Sequence, residues 1–254
     1  MQTEGQREIT ELTDLLDRRG NLVCPGYARK MLFRYNRDRI RARPFALKEW
    51  DFYQIARGDW VLQLTIGHVS YAASVSAWIF NTRTGQRRGF SRLKPLPLGS
   101  PQMPLNPETP HTLSAGGRDF SARYEVTGGT RRLVMTASGK KDPVAVEVIL
   151  TNNPRNEKME ITTPFAGNPN QFYLNYKEHY WGAKGYARAG DIDISFDESA
   201  TALLDWGRGV WPFTQEWFWG NGTAFLEGKH FGFNIGWGFG DLSNATENMF
   251  FYED

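Results

Sequence analysis

Apolar and polar residues alternate with a period of two along most of this chain, the spacing of a strand that buries one face. Trp60, Leu62, Leu64 and Ile66 fall on one side, with Gln63 and Thr65 on the other. Phe120, Ala122, Tyr124 and Val126 alternate with Ser121, Arg123, Glu125 and Thr127. Gly128-Gly129 then supplies a two-residue hairpin turn, after which Leu133, Met135 and Ala137 resume the ladder. Val144 to Leu150, Met159 with Ile161, and Ile192 to Phe196 continue the pattern. Turn signals such as Thr84-Gly85 and Ser138-Gly139 set these runs at the roughly 10-residue spacing of sandwiches and barrels. The expected class is all-β and mostly antiparallel. Ile9 to Arg18, with Ile9, Leu12, Leu15 and Leu16, reads either as a short helix or as an extended arm.

Composition narrows the function classes. Aromatic residues make up 14 % of the 254 positions, more apolar surface than a disordered chain carries. A net charge of +2 gives no global field that would make nucleic acid the main partner. One cysteine, Cys24, excludes an intrachain disulfide or a cysteine-rich metal centre, and His68, His111, His179 and His230 have no metal-ligand spacing. No metal and no cofactor are expected, since P-loop, dinucleotide and nucleophile-elbow motifs are absent. There is no apolar stretch long enough for a spanning helix, and the polar N-terminus is unlike a signal peptide, so a cytoplasmic location is expected. Pro95, Pro97, Pro101, Pro104, Pro107 and Pro110 mark a long connection, either a rigid crossing or a flap. A composition change over Asn152 to Asn170 places the domain boundary: 1–168 as an N-terminal barrel-like domain with the arm and the proline segment, 169–254 as a C-terminal domain.

The most informative segment is Leu204 to Asn248. On an extended strand, Phe231, Phe233, Ile235, Trp237 and Phe239 share one side, and Gly232, Asn234, Gly236, Gly238 and Gly240 the other. Glycines in a strand are costly, and are accepted where a sheet bends or something approaches its backbone. The bare side therefore reads as a strand packed on bulky neighbours or as the floor of a ligand cavity. Asp205, Trp206, Arg208 and Trp211 precede Glu216, Trp217 and Trp219. Gly207 and Gly209 around Arg208 suggest an exposed turn presenting the guanidinium to Asp205, Glu216 or a ligand carboxylate, the other reading being a structural Arg–Asp pair stacked on Trp206 or Trp211. In an aromatic cavity Glu216 would have the raised pKa of a general acid. Lys177 and His179 share one strand face, Glu178 and Tyr180 the other, beside Tyr173 and Tyr176. Arg37, Arg39, Arg41 and Arg43 alternate as one basic strand face would.

The run L-D-W-G-R-G-V-W-P-F, followed by E-W-F-W-G and G-F-N-I-G-W-G-F-G, resembles a bacterial family of uncharacterised proteins, domain of unknown function 2804. Q-R-E-I-T-E near the start and P-L-N-P-E-T-P in the proline segment fit the same family. More distantly, Gln171 to Tyr176, the hairpin through Gly190 and the segment ending Trp219-Gly220 are similar to carotenoid hydratase-like (AttH-like) lipocalin-like proteins. That resemblance implies two calycin-type barrels or strongly curled sheets in tandem, the second one either incomplete or closed by other means. It also implies isoprenoid or polyketide chemistry without a cofactor. Glu216 is the nearest match to the acidic residue of their motif, and Trp217 stands where they carry histidine.

Three readings of function follow. The first is binding of an apolar small molecule in a β-barrel cavity, with hydratase- or isomerase-type acid–base chemistry. Glu216, Arg208 and Asp205 would be catalytic, and Trp206, Trp211, Trp217, Trp219, Asn234, Trp237, Tyr176 and His179 would line the site. The second is a carbohydrate-binding or glycoside-active β-sandwich in which the tryptophans stack sugars. The third is a non-catalytic scaffold. The partner expected is an apolar small molecule, with no nucleic acid and no membrane span.

Overall fold

The alternating runs form strands in the register that their sequence implies. In the computed structural model, residues 5–43, 45–95, 101–139, 143–153 and 158–252 are described; Pro97 of the proline segment and residues 154–157 near the expected boundary lie outside them. The N-terminal arm carries β1 (Thr13–Asp14), β2 (Gly26–Ala28) and β3 (Phe33–Arg34). A meander follows: β4 (Leu47–Arg57), β5 (Trp60–His68), β6 (Ala72–Asn81) and β7 (Arg87–Pro95). A second comprises β8 (His111–Gly116), β9 (Phe120–Thr127), β10 (Thr130–Ala137) and β11 (Val144–Thr151). Then come β12 (Lys158–Pro164), β13 (Phe172–Ala189), β14 (Ile192–Phe196) and β15 (Thr201–Val210). Last are β16 (Phe218–Leu226), β17 (Lys229–Trp237) and β18 (Met249–Tyr252).

The β5–β6–β7, β8–β9–β10–β11–β13, β12–β13 and β16–β17–β18 pairings among the described residues are antiparallel, whereas β1 with β3 and the isolated bridge between Glu8 and Tyr27 are parallel. Among the described residues the one helical element is a 3-10 turn at Arg37–Arg39, so the alternating arginines are not a strand face. Ile9 to Arg18 is the extended arm: its carbonyl and amide groups pair with neighbouring strands while Leu15 and Leu16 are buried. Thr127 pairs with Thr130 across Gly128 and Gly129, both at positive φ, the two-residue turn that glycine accepts without a Cβ clash.

The chain forms two compact units, neither of them one stretch of sequence. One comprises Met1–Glu49, Glu157–His179 and Trp206–Asp254; the other Trp50–Asn156 and Tyr180–Asp205. The strand order of the large sheet is β7-β6-β5-β4-β15-β13-β11-β10-β9-β8, with β14 also on β13, β12 on β13 and β2 on β12; β16-β17-β18 form a separate sheet. No described pairing joins β7 to β8, so hydrogen bonding does not close this sheet into a barrel. In the second unit Leu62, Leu64, Ile66, Leu133 and Met135 are wholly buried, and Tyr53 meets Tyr124 edge-on at 5.1 Å. Arg131 is buried there too, donating to the Tyr53 hydroxyl at 3.0 Å and lying 4.8 Å from the Trp181 ring. β13 pairs with β12 as far as Glu178 and with β11 from Gly182. Between those ladders Tyr180 has a φ of 65°, a left-handed backbone costing on the order of 1–3 kcal/mol in a bulky residue.

Candidate functional site

All eight residues from Phe172 to His179 are buried, because both faces of this half of β13 are covered. Its odd face carries Tyr173, Asn175, Lys177 and His179. Tyr173 meets Phe239 at 4.4 Å and Trp211 at 6.0 Å. Lys177 Nζ lies 3.2 Å from Glu247 Oε2 and 4.9 Å from the Trp219 ring, and the His179 ring stacks on Phe251 at 4.5 Å. Asn234 joins this layer: it accepts from Trp219 Nε1 at 2.8 Å and donates to the Glu247 carbonyl at 2.6 Å. A buried cation of this kind is tolerable only with its counter-charge and hydrogen bonds in place.

These contacts decide which way β17 faces. Gly232, Asn234 and Gly236 point inward and are buried, while Ile235 and Trp237 point out. Of the two readings of the glycine side, the cavity floor is corrected and packing on bulky neighbours is what the strand shows. A Cβ at Gly236 would lie 2.9 Å from Glu247 Cβ, and the Gly236 amide donates to Asn248 Oδ1 at 2.8 Å. The missing side chains let residues 247–248 approach the strand instead of leaving a void.

The aromatic side is consequently exposed. Phe218, Trp237 and Phe250 are 61 %, 67 % and 74 % exposed, with Ile235 and Tyr252 also open. Phe218 pairs with Trp237, and Phe233 with Phe250, in register. Phe233 lies over Gly222, where a Cβ would come 2.5 Å from its ring. The aromatic ring covering a cross-strand glycine is a familiar sheet device. Between Phe218 and Phe250 this face carries no charge, and contiguous apolar faces of this kind mark interaction sites.

A second buried cluster is built on Glu49 at the start of β4. Its carboxylate accepts from the Tyr35 hydroxyl at 2.9 Å, pairs with Arg37 at 2.9 Å and lies 3.4 Å from Arg208 Nε. Burial, with Glu49 as the next cause, pushes the Tyr35 phenol well above its usual range, so it remains the proton donor. Arg208 is wholly buried on β15, with its guanidinium 3.9 Å from the Trp206 ring. The expected exposed turn at Arg208 is therefore corrected: Gly207 and Gly209 lie within the strand. A Cβ at Gly209 would overlap the Phe172 carbonyl, so the glycine serves close strand approach. Lys48, donating to the Trp211 carbonyl and 4.6 Å from the Trp211 ring, has its pKa lowered by burial.

The residues singled out from sequence are thus dispersed. Asp205, on the opposite side of β15 from Arg208, accepts from Trp50 Nε1 at 2.9 Å. Glu216 is exposed between β15 and β16. Trp206 packs with Tyr35, whereas Trp211 and Trp217 meet on Phe239. Trp219 and Asn234 join Lys177 and Glu247; His179 lies on Phe251; Tyr176 donates to Glu178 at 3.4 Å; Trp237 is on the outer face. Glu49, Glu247 and Phe251 were not singled out from sequence, and no local pattern marks them. Ile235 and Trp237 are visible in the alternation, whereas Phe218 and Phe250 lie outside it. Among the described residues no group of three His, Cys, Asp or Glu side chains has the geometry of a metal site. No helix among them is long and apolar enough to cross a membrane.

Fold and site define an all-β protein of antiparallel sheets, with a buried charged layer under an outer aromatic sheet face. The family model described as "Domain of unknown function (DUF2804)" matches residues 6–254, and the chain belongs to that family. No curated protein matches it. Among solved structures it is similar to a protein assigned as AttH from Nitrosomonas europaea: 12 % identity, TM-score 0.49, covering 79 % of this chain and 63 % of that one. It is similar also to kievitone hydratase from Nectria haematococca, with 10 % identity, TM-score 0.48, and coverage of 81 % and 60 %. The chain thus spans about three fifths of the length of each.

Proposed function

We propose that this protein binds an apolar small molecule, lipid-, isoprenoid- or polyketide-like, on the outer face of β16–β18. One observation carries the reading: Phe218, Ile235, Trp237 and Phe250 are held exposed on a mainly apolar sheet face, with Lys229 at its far end over the Tyr252 ring. Flat or unsaturated hydrocarbon gains both area burial and ring contact there. Of the three catalytic candidates Glu216 is the exposed one, two residues before Phe218 in sequence, which supports it as the proton donor of this reading. A sugar platform would use the same rings but adds hydrogen-bonding groups around them, and on this face the polar groups, Lys229 and the Tyr252 hydroxyl, stand at the end away from Phe218 and Trp237. All-trans-retinol, neutral and fluorescent, serves as the probe. Saturable binding is expected, weakened at least about tenfold in W237S/F250S, as loss of two central aromatic anchors predicts. Absence of saturable binding, an unchanged variant, or binding of a chito-oligosaccharide in its place would overturn the reading.

A further inference from the structure

Surface arginines of the first unit fall into two groups. Arg29 pairs with Glu8, Arg34 with Asp14 and Arg37 with Glu49. Arg18, Arg19, Arg39 and Arg43 form no salt bridge with a described residue, and Arg41 donates only to the Asp38 and Ile40 carbonyls. The fold brings these five together. Residues 17–21 form a tight turn in which Asp17 Oδ1 accepts from the Arg19 and Asn21 amides. Gly20 in that turn sits against the other segment: a Cβ there would lie 2.8 Å from Arg41 Cβ and 2.9 Å from the Arg39 carbonyl. Asp17 and Asp38 are the acidic side chains within this patch, which leaves it strongly positive in a chain of net charge +2.

Beside the arginines stands Phe45, 58 % exposed with a φ of 67°. A left-handed backbone is costly for an aromatic residue, and here it supports a ring left largely in water. One apolar anchor among cations suits the boundary of an anionic bilayer, where the ring enters the acyl region and the arginines meet headgroup phosphates. Single-stranded nucleic acid instead stacks successive bases on several rings along a groove, and Phe45 is the exposed ring of this patch.

We infer that the loop pair carrying Arg18 and Arg19 on one side and Arg39, Arg41, Arg43 and Phe45 on the other is a docking site for anionic lipid surfaces. It is independent of ligand binding on the outer sheet face. The test is sedimentation of the full chain with phosphatidylcholine vesicles, with and without about 30 % phosphatidylserine. Binding is expected only with the anionic lipid, falling as salt rises. R41Q/R43Q should bind about thirtyfold more weakly, the change expected for two cations at such a surface, and F45S should also lose affinity. R83Q/R123Q, which removes the same charge from arginines paired to Asp59 and Glu125, should bind as the parent does. R41Q/R43Q should leave retinol binding unchanged, which separates failure of this proposal from failure of the ligand reading. Equal binding to neutral vesicles, no binding, or undiminished binding by R41Q/R43Q would overturn it. So would vesicle displacement by a single-stranded oligonucleotide together with parent-like binding by F45S.

Discussion

Replacing Glu49 by alanine is expected to lower the free energy of unfolding by about 3–5 kcal/mol, the range for removing one partner from a buried ion pair. The carboxylate is 3 % exposed, and it faces Arg208, Arg37 and the Tyr35 hydroxyl at once. Its removal leaves the wholly buried guanidinium of Arg208 without that counter-charge, and the energy comes from desolvation more than from lost attraction. Arg37 is one-third exposed, so its share is small. Equilibrium urea unfolding with an unchanged m-value measures the difference. A loss below about 1 kcal/mol, the scale of a surface pair, would show that Glu49 is not the partner that makes Arg208 tolerable.

Glu247→Ala should be comparably severe, at about 3–5 kcal/mol by the same reasoning. Lys177 is 1 % exposed and its ammonium lies 3.2 Å from this carboxylate under the Trp219 ring. The same residue fills the space above Gly236, so truncation adds a cavity term. A K177M/E247L double variant should recover most of the loss, because two apolar groups of similar size remove the desolvation cost on both sides. Thermal and urea unfolding of the three variants tests this. E247A as stable as the parent, or a double variant worse than E247A, would contradict the account of this layer.

Much of the architecture was legible because it is periodic. Leu62, Leu64 and Ile66, or Leu133 and Met135, show their burial by alternation alone, and Gly128-Gly129 shows its turn by conformational need. β17 was legible in part. The separation of Phe231, Phe233, Ile235 and Trp237 from Gly232, Asn234 and Gly236 was in the sequence, but parity does not say which side faces inward. That is settled by Glu247 and Phe251, which follow β17, together with Lys177, which is distant from it in sequence. Arg208 was misread for the same reason. Flanking glycines suggest a turn locally, whereas Glu49, brought from the start of β4, supplies a counter-charge to the buried guanidinium. Polar residues of β13 read as solvent-facing by the usual rule, yet Lys177, Glu178 and His179 are buried because both faces of the strand are covered. The short apolar spacing of Ile9 to Leu16 fits a helix as well as an arm, and pairing of its backbone with β2 and β3 decides for the arm.

The most direct measurement is where an apolar ligand touches the protein. A neutral diazirine-bearing isoprenoid, photolysed with the folded chain and mapped by mass spectrometry, should label the peptides carrying Phe218, Ile235 to Trp237 and Phe250, with labelling displaced by excess retinol. Displaceable label confined instead to the interior around Tyr176 and Arg208, or spread without preference along the chain, would contradict the outer sheet face as the binding surface.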